Sequence, residues 1–301
     1  MSCTCTDRVV IVTGAGRGIG RAHALSFAAK GARVVVNDVG VGLDGSNPDE
    51  GPAQQVVDEI TAAGGTAVAN RDDVAHFVGA QRLVEQAVSE FGGLDVLVNN
   101  AGFLRDRMLV SLGEEEWDAV VRVHLKGHFA PLHHAAGYWR ERSKAGEEVD
   151  ARVVNTSSGA GLLGSIGQAN YSAAKAGIAG LTLVAAAELR RYGVRVNAIA
   201  PAARTRMTEQ AFADMMAQPG SGFDAMAPEN VSPLVVWLGS LESRDVTGRV
   251  FEVEGGKITV AEGWRHGPSI DKRDRWDPEE IGPVVEKLLA DAATPEPVYG
   301  T

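Results

Sequence analysis

The chain has 301 residues, 45% of them hydrophobic and 23% charged, the balance expected of a soluble globular protein with a full core. Its formal net charge of −10 opposes nucleic acid or an anionic membrane surface as the main partner. Cys3 and Cys5 are the only cysteines and both sit at the extreme N-terminus. They read as free thiols of a frayed end, too few for a zinc site and suited to a reducing cytoplasm. No secretory leader is expected before RVVIVTGAG, which begins at residue 8, and runs such as LTLVAAAEL fall short of the ~18–20 residues that span a bilayer.

In chain order, β-branched runs predict strands at 9–14, 33–38, 66–73, 94–102, 151–158, 194–201 and 249–256. Between them lie helical patterns, several closed by a glycine that can take the left-handed C-cap conformation. Strand and helix in alternation predict βαβ units, an α/β fold with a parallel sheet covered on both faces. Residues 40–53 read as a long Gly/Asp/Pro loop, and 143–151 as a polar surface excursion. Residues 203–230 hold four of the six methionines, Met207, Met215, Met216 and Met226, with Phe212 and Phe223. Such a segment suits a lid over apolar ligands, or simply a packed helix pair. Beyond Gly263 no strand pattern appears, and DPEEIGPVVEKLLADAA predicts one or two short helices. The expected division is therefore one domain over 1–263 and a C-terminal extension over 264–301.

TGAGRGIG (13–20) follows the first strand and opens the first helix. Gly14, Gly18 and Gly20 there would let the backbone approach a pyrophosphate at the helix N-terminus. Asp38 ends the next strand, where a carboxylate holds the ribose hydroxyls of NAD and repels the 2′-phosphate of NADP. Arg17, in the glycine loop, pulls towards the phosphorylated cofactor, and Asp38 is expected to win. Further on, GQANYSAAKAG (167–177) sets Tyr171 and Lys175 one helical turn apart among small residues. A free phenol has a pKa of about 10, and an ammonium ~4 Å away is worth roughly 4 kcal/mol at an effective dielectric near 20. Lys175 should thus lower Tyr171 by about three pKa units and fit it for proton exchange with a substrate oxygen. Ser158, at the end of the fifth strand, can reach the same oxygen. The bland alternative is a tyrosine packed on alanine beside a solvated lysine.

TGAGRGIG, NNAG (99–102), Ser158 and YSAAK, in that order, resemble the short-chain dehydrogenase/reductase family over residues 8–256. The resemblance implies a doubly wound, Rossmann-like seven-stranded parallel sheet, with Tyr171 as general acid/base. It also implies Lys175 as tuner and ribose ligand, and Ser158 as donor to the substrate oxygen. Asp73 and Val74 would contact adenine, and Asn100 would lie against the cofactor. Ile19, Ala101, Gly102, Ala203 and Thr205 would complete the cofactor site. The longer strings VVVNDVG, LRDRM, RVHLKG, GQANYSAAK, IAPAARTRMT and FEVEGG are similar to the (3R)-hydroxyacyl-CoA dehydrogenase unit of peroxisomal multifunctional β-oxidation enzymes and its 17β-hydroxysteroid dehydrogenase relatives. Where the wider family has a helix asparagine this chain has His124, so an asparagine-held water relay would pass to an imidazole or be lost.

The expected reaction is NAD-dependent oxidation of a secondary alcohol, a (3R)-3-hydroxyacyl-CoA above all, with a free 17β-hydroxysteroid as the alternative. An NADPH-dependent 3-oxoacyl-carrier-protein reductase is a further alternative, and a catalytically silent cofactor-binding scaffold a third. Arg105, Arg107, Arg204 and Arg206 could bind the coenzyme A phosphates. Apolar positions on helices 114–142 and 172–191, among them Leu125, Phe129, Leu132, Leu181 and Leu183, predict a homodimer or homotetramer.

Overall fold

Short buried runs of valine and isoleucine build the sheet at the centre of the chain. A computed structural model describes residues 5–40, 51–205 and 216–300. Its parallel strands are β1 (Val9–Thr13), β2 (Arg33–Asn37), β3 (Thr66–Asn70), β4 (Val96–Asn99), β5 (Ala151–Thr156), β6 (Val194–Ala202) and β7 (Val250–Glu254). Every residue of β1, β4 and β5 is buried, as a strand covered on both faces requires. The sheet order is β3-β2-β1-β4-β5-β6-β7-β8. The chain winds outward from β1 in one direction and from β4 in the other, so the carboxyl ends of β1 and β4 flank a crevice. Open α/β sheets bind their ligands at such a reversal.

Helices α1 (Gly18–Ala29), α2 (Gly51–Ala62) and, near the C-terminal end, α8 (Ser232–Gly239) cover one face. Phe27, Val56, Ile60 and Leu238 form the core there. The other face lies under α3 (Phe77–Phe91), α5 (Gly127–Lys144) and α7 (Ala169–Leu189), around Leu83, Leu132, Trp139 and Ala186. The buried Trp139 indole donates to the Leu94 carbonyl, which joins α5 to the foot of β4. Helix α4 (Glu114–Val121) runs into α5 through a single π-helical turn, Arg122–Lys126. The helix expected over 114–142 is thus interrupted at the turn that carries His124. Helix α6 (Gly159–Leu163) is one short turn after β5, and α9 (Pro278–Asp291) stands in the C-terminal extension with no buried residue.

Four expectations need correction. An eighth strand, β8 (Lys257–Ala261), pairs antiparallel with β7 across the Gly255–Gly256 turn, where Gly255 has φ 52°. That glycine pair is the hairpin mark in VEGGKITV. Cys5 is not frayed: it is fully buried against the α1–α8 layer, while Cys3 lies outside the described residues. Leu132 is a core residue rather than part of an exposed face. Finally, the helix Ala169–Tyr192 is long and apolar enough to cross a membrane by length and composition. Here it packs on β5 and β6, with Lys175, Ile178, Thr182 and Ala186 buried.

Candidate active site

Glycine geometry makes the crevice. Gly14 and Gly18 have φ of 61° and 54°, a left-handed conformation that disfavours any side chain. A Cβ on Gly20 would fall 2.2 Å from the Gly14 carbonyl oxygen, so α1 could not approach the β1 turn with any other residue. Helix α1 begins after Arg17 with no side-chain cap and no acidic residue in its first turn. Its first amides and positive dipole end thus face the crevice without an acidic partner on the helix, a setting that fits the pyrophosphate of a dinucleotide. Gly18 and Ile19 open the helix, and Thr205 approaches Gly18 from the end of β6, just after the buried Ala203. The Asp38 carboxylate accepts from the amides of Gly16 and Gly40, both at 2.8 Å, and so carries its charge into the glycine loop.

From β4, Asn100 braces the same loop. Its side-chain amide donates to the carbonyls of Thr13 and Gly14, at 3.0 and 3.2 Å. The amides of Asn100 and Ala101 donate to the Thr13 hydroxyl. At the end of β3, Asp73 accepts from the Ala75 amide and pairs with Arg122, and the adjacent Val74 is buried against Gly127.

Ser158, Tyr171 and Lys175 come together at the end of β5. Ser158 is the N-cap of α6, accepting from the Ala160 amide at 3.2 Å. Its side chain faces the Tyr171 hydroxyl closely enough to favour the phenolate. Lys175 is 2% exposed, and its Nζ donates to the Thr156 carbonyl at 2.6 Å. Burial pushes the Tyr171 phenol up to about 12, Ser158 opposing and Asp106 adding to the rise. The same burial pushes the Lys175 ammonium down to about 7. The expected lowering of Tyr171 by Lys175 is therefore not what the chain by itself shows. With Nζ 5.5 Å from the ring centroid and bonded to Thr156, the lysine is the weaker influence and desolvation dominates both groups.

His124 stands edge-on to Tyr171, ring centroids 5.1 Å apart. Only glycine fits opposite it, because a Cβ on Gly102 would lie 2.1 Å from the imidazole. Its Nε2 lies 2.7 Å from the Phe103 carbonyl, and burial, with Lys175 beside it, lowers its pKa to about 3. The ring is neutral at working pH and holds the Phe103 backbone. Its Nδ1 is buried with no hydrogen-bond partner among the described residues.

Several groups around the site gave no clear sequence mark. The Asn170 side chain donates to the carbonyls of Arg105 and Glu116 and accepts from the Tyr171 amide, fixing the start of α7. Gln168 donates to Asp106, whose carboxyl burial pushes up. Only the fixed string QANY hinted at them. Conversely, the arginines expected at a coenzyme A phosphate are not gathered. Arg105 lies over the Phe103 ring, Arg107 is 3.7 Å from Glu116, and Arg204 pairs with Asp224 and donates to the Met216 carbonyl. Arg206, Met207, Phe212 and Met215 lie outside the described residues. Of the remaining lid positions, Met216 is buried and Phe223 exposed.

The glycine crevice and the serine–tyrosine–lysine cluster point to one class of protein. Residues 8–216 match the family model described as short chain dehydrogenase, and the chain belongs to that family. It is an oxidoreductase of CH–OH groups, built on a nicotinamide cofactor site. It is 47% identical over 296 residues to the hydroxyacyl-CoA dehydrogenase ChsB1 of Mycobacterium tuberculosis, covering 95% of this chain and 89% of that protein. It is 41% identical to the peroxisomal multifunctional enzyme type 2 of Mus musculus, covering 97% of this chain but 38% of that longer protein. A solved short chain dehydrogenase from Mycobacterium avium is 69% identical, with a TM-score of 0.89 over 98% of this chain and 99% of that one.

The buried imidazoles set an acid limit on stability. His23 and His124 have pKa values lowered to about 3, and His128 is also well below its ordinary value, all through burial. Below pH ~6.5 the unfolded chain binds protons at these positions while the folded chain does not. Stability should fall as pH drops from 6.5 towards 4, by roughly 1 kcal/mol per pH unit for each imidazole. Thermal melting across that range measures it, and a flat melting temperature contradicts it.

Proposed function

We propose that the protein oxidises (3R)-3-hydroxyacyl-CoA thioesters to 3-oxoacyl-CoA with NAD. The observation that carries this reading is the gathering of Ser158, Tyr171 and the buried Lys175 at the carboxyl edge of the sheet, next to the glycine crevice. Ser158 holds the substrate oxygen. In the reducing direction the protonated Tyr171 gives its proton to the 3-oxo oxygen. Oxidation is the reverse, Tyr171 first losing its proton to solvent so that the phenolate takes the substrate hydroxyl proton. The bound nicotinamide supplies the acceptor for the hydride. Gly14, Gly18, Gly20 and Ile19 would take the pyrophosphate, Asp38 the adenosine ribose, and Asp73 and Val74 the adenine. Lys175, Asn100, Ala101, Gly102, Ala203 and Thr205 complete that site in this reading. Arg17 stands at the N-cap of α1, but the Asp38 charge inside the loop favours NAD over NADP. His124, neutral and tied to Phe103, orients the tyrosine and relays no proton in this reading.

The thioester rests on the relatives, a hydroxyacyl-CoA dehydrogenase and a peroxisomal multifunctional enzyme. Since Arg105, Arg107 and Arg204 are engaged elsewhere, coenzyme A recognition in this reading falls to other groups of the crevice rim. A homodimer or homotetramer belongs to the same proposal. Phe129 and Leu183, expected on such a face, and their neighbours Trp117 and Val184 are exposed on α4, α5 and α7. A monomer by light scattering contradicts it.

Tyr171→Phe keeps the ring and removes the exchangeable proton. NADH binding should persist while turnover falls about 10²–10⁴-fold, and a variant keeping a tenth of the activity overturns the role. Asp38→Ala should narrow the preference for NAD over NADP, and equal specificity constants in the unaltered protein contradict the assignment. The substrate is tested by the ratio of specificity constants for a long (3R)-hydroxyacyl-CoA and a free 17β-hydroxysteroid. The thioester should win, and a steroid advantage of about tenfold or more reverses the reading.

A further inference from the structure

The last residues of the chain return to the segment that joins Ser158 to Tyr171. The Ile166 amide donates to the Tyr299 carbonyl at 3.0 Å, and the Tyr299 amide donates to the Gly164 carbonyl at 3.2 Å. This pairing puts Tyr299 opposite Ser165 in a parallel bridge. Three glycines mark the fit. A Cβ on Gly159, the residue after Ser158, would lie 2.7 Å from the Tyr299 hydroxyl oxygen. One on Gly164 would touch Val298, and Gly300 itself packs on Ile166. Burial raises the Tyr299 phenol, and the charges of Glu252 and Glu254 of β7 add to the rise. Tyr299 remains 48% exposed, Val298 40% and Ile166 49%. They form a half-open apolar ledge that begins one residue from Ser158.

We propose that Val298–Gly300 is a wall of the substrate site, and that Tyr299 is a specificity-determining residue that packs against the apolar acyl portion of the substrate. The inference rests on the function proposed above for the identity of the substrate, but not for the location of the ledge. The ledge begins beside Ser158, so an acyl chain whose 3-oxygen lies on Ser158 and Tyr171 has an apolar surface within reach here. The ring offers a flat face at low conformational cost, since it is already pinned through its own backbone. An extension that reads in sequence as an appendage thereby becomes part of the site.

The test compares the full chain with Tyr299→Ala, Tyr299→Phe and a truncation after Asp291. The substrates are paired long-chain and short-chain 3-oxoacyl-CoAs, and a matching pair of 3-oxo alkyl esters, each reduced with NADH. For Tyr299→Ala and the truncation, the long-to-short ratio of specificity constants should fall about tenfold or more. Tyr299→Phe should keep the ratio, and NADH affinity should stay the same in all four proteins. Amide exchange at Ile166 should accelerate on truncation, because its acceptor is gone. An unchanged ratio, or an Ile166 amide that exchanges equally with and without the tail, overturns the proposal. If the thioesters fail in the unaltered protein while the esters react, the thioester reading has failed and the ester ratio still decides the wall. If neither pair reacts, Ile166 exchange decides it, measured with and without a long-chain 3-oxo ester bound: added protection in the full chain only supports the wall, and none opposes it.

Discussion

The hydrogen bond from Lys175 Nζ to the Thr156 carbonyl is the contact on which the site depends. It ties the middle of the first turns of α7 to the last residue of β5, and a second tie runs from the Ser157 hydroxyl to the Lys175 carbonyl. Two residues beyond Thr156 stands Ser158, and one turn before Lys175 stands Tyr171. Fixing lysine to strand therefore brings serine and tyrosine together. The same anchoring buries the ammonium, and burial sets its proton affinity. Tyr171 at about 12 is held as a proton donor, and Lys175 at about 7 is poised to change charge near neutrality. Desolvation, rather than mutual attraction, is the stronger force on both.

Around that anchor, backbone packing does most of the remaining construction. Asn100 holds the glycine loop from one side and Asp38 from the other, so the loop that faces a cofactor is fixed by side chains from β4 and the end of β2. His124 fills the space a Gly102 side chain would take and fixes Phe103. The π turn that carries it widens the helix there, a departure often found at functional sites. Each of these residues sits at a strand's carboxyl end or in the helix directly opposite, because the sheet's reversal leaves those ends open.

Much of this was legible from residue order alone. Continuous valine runs gave the parallel sheet because strands buried on both faces have no polar side to show. The glycine spacing after β1, Asp38, and the Tyr171–Lys175 turn gave the crevice because these are local patterns joined to local elements. Non-local features were not legible. Which arginines are engaged depends on side-chain pairings with Glu116 and Asp224 that no motif announces. Burial of Cys5, and the sign of the Tyr171 shift, depend on what packs over them. The return of Tyr299 to Gly159 spans most of the second half of the chain, and no periodicity in the tail announces it.

The central claim is that burial at the end of β5 brings Lys175 into the neutral range. Nitrogen-15 NMR on lysine-labelled protein, with Lys175→Met to assign the resonance, reads its protonation directly. The account predicts an ammonium that titrates at about 7 in the cofactor-free protein. A Lys175 that stays charged up to the ordinary lysine value of about 10.4 would contradict it.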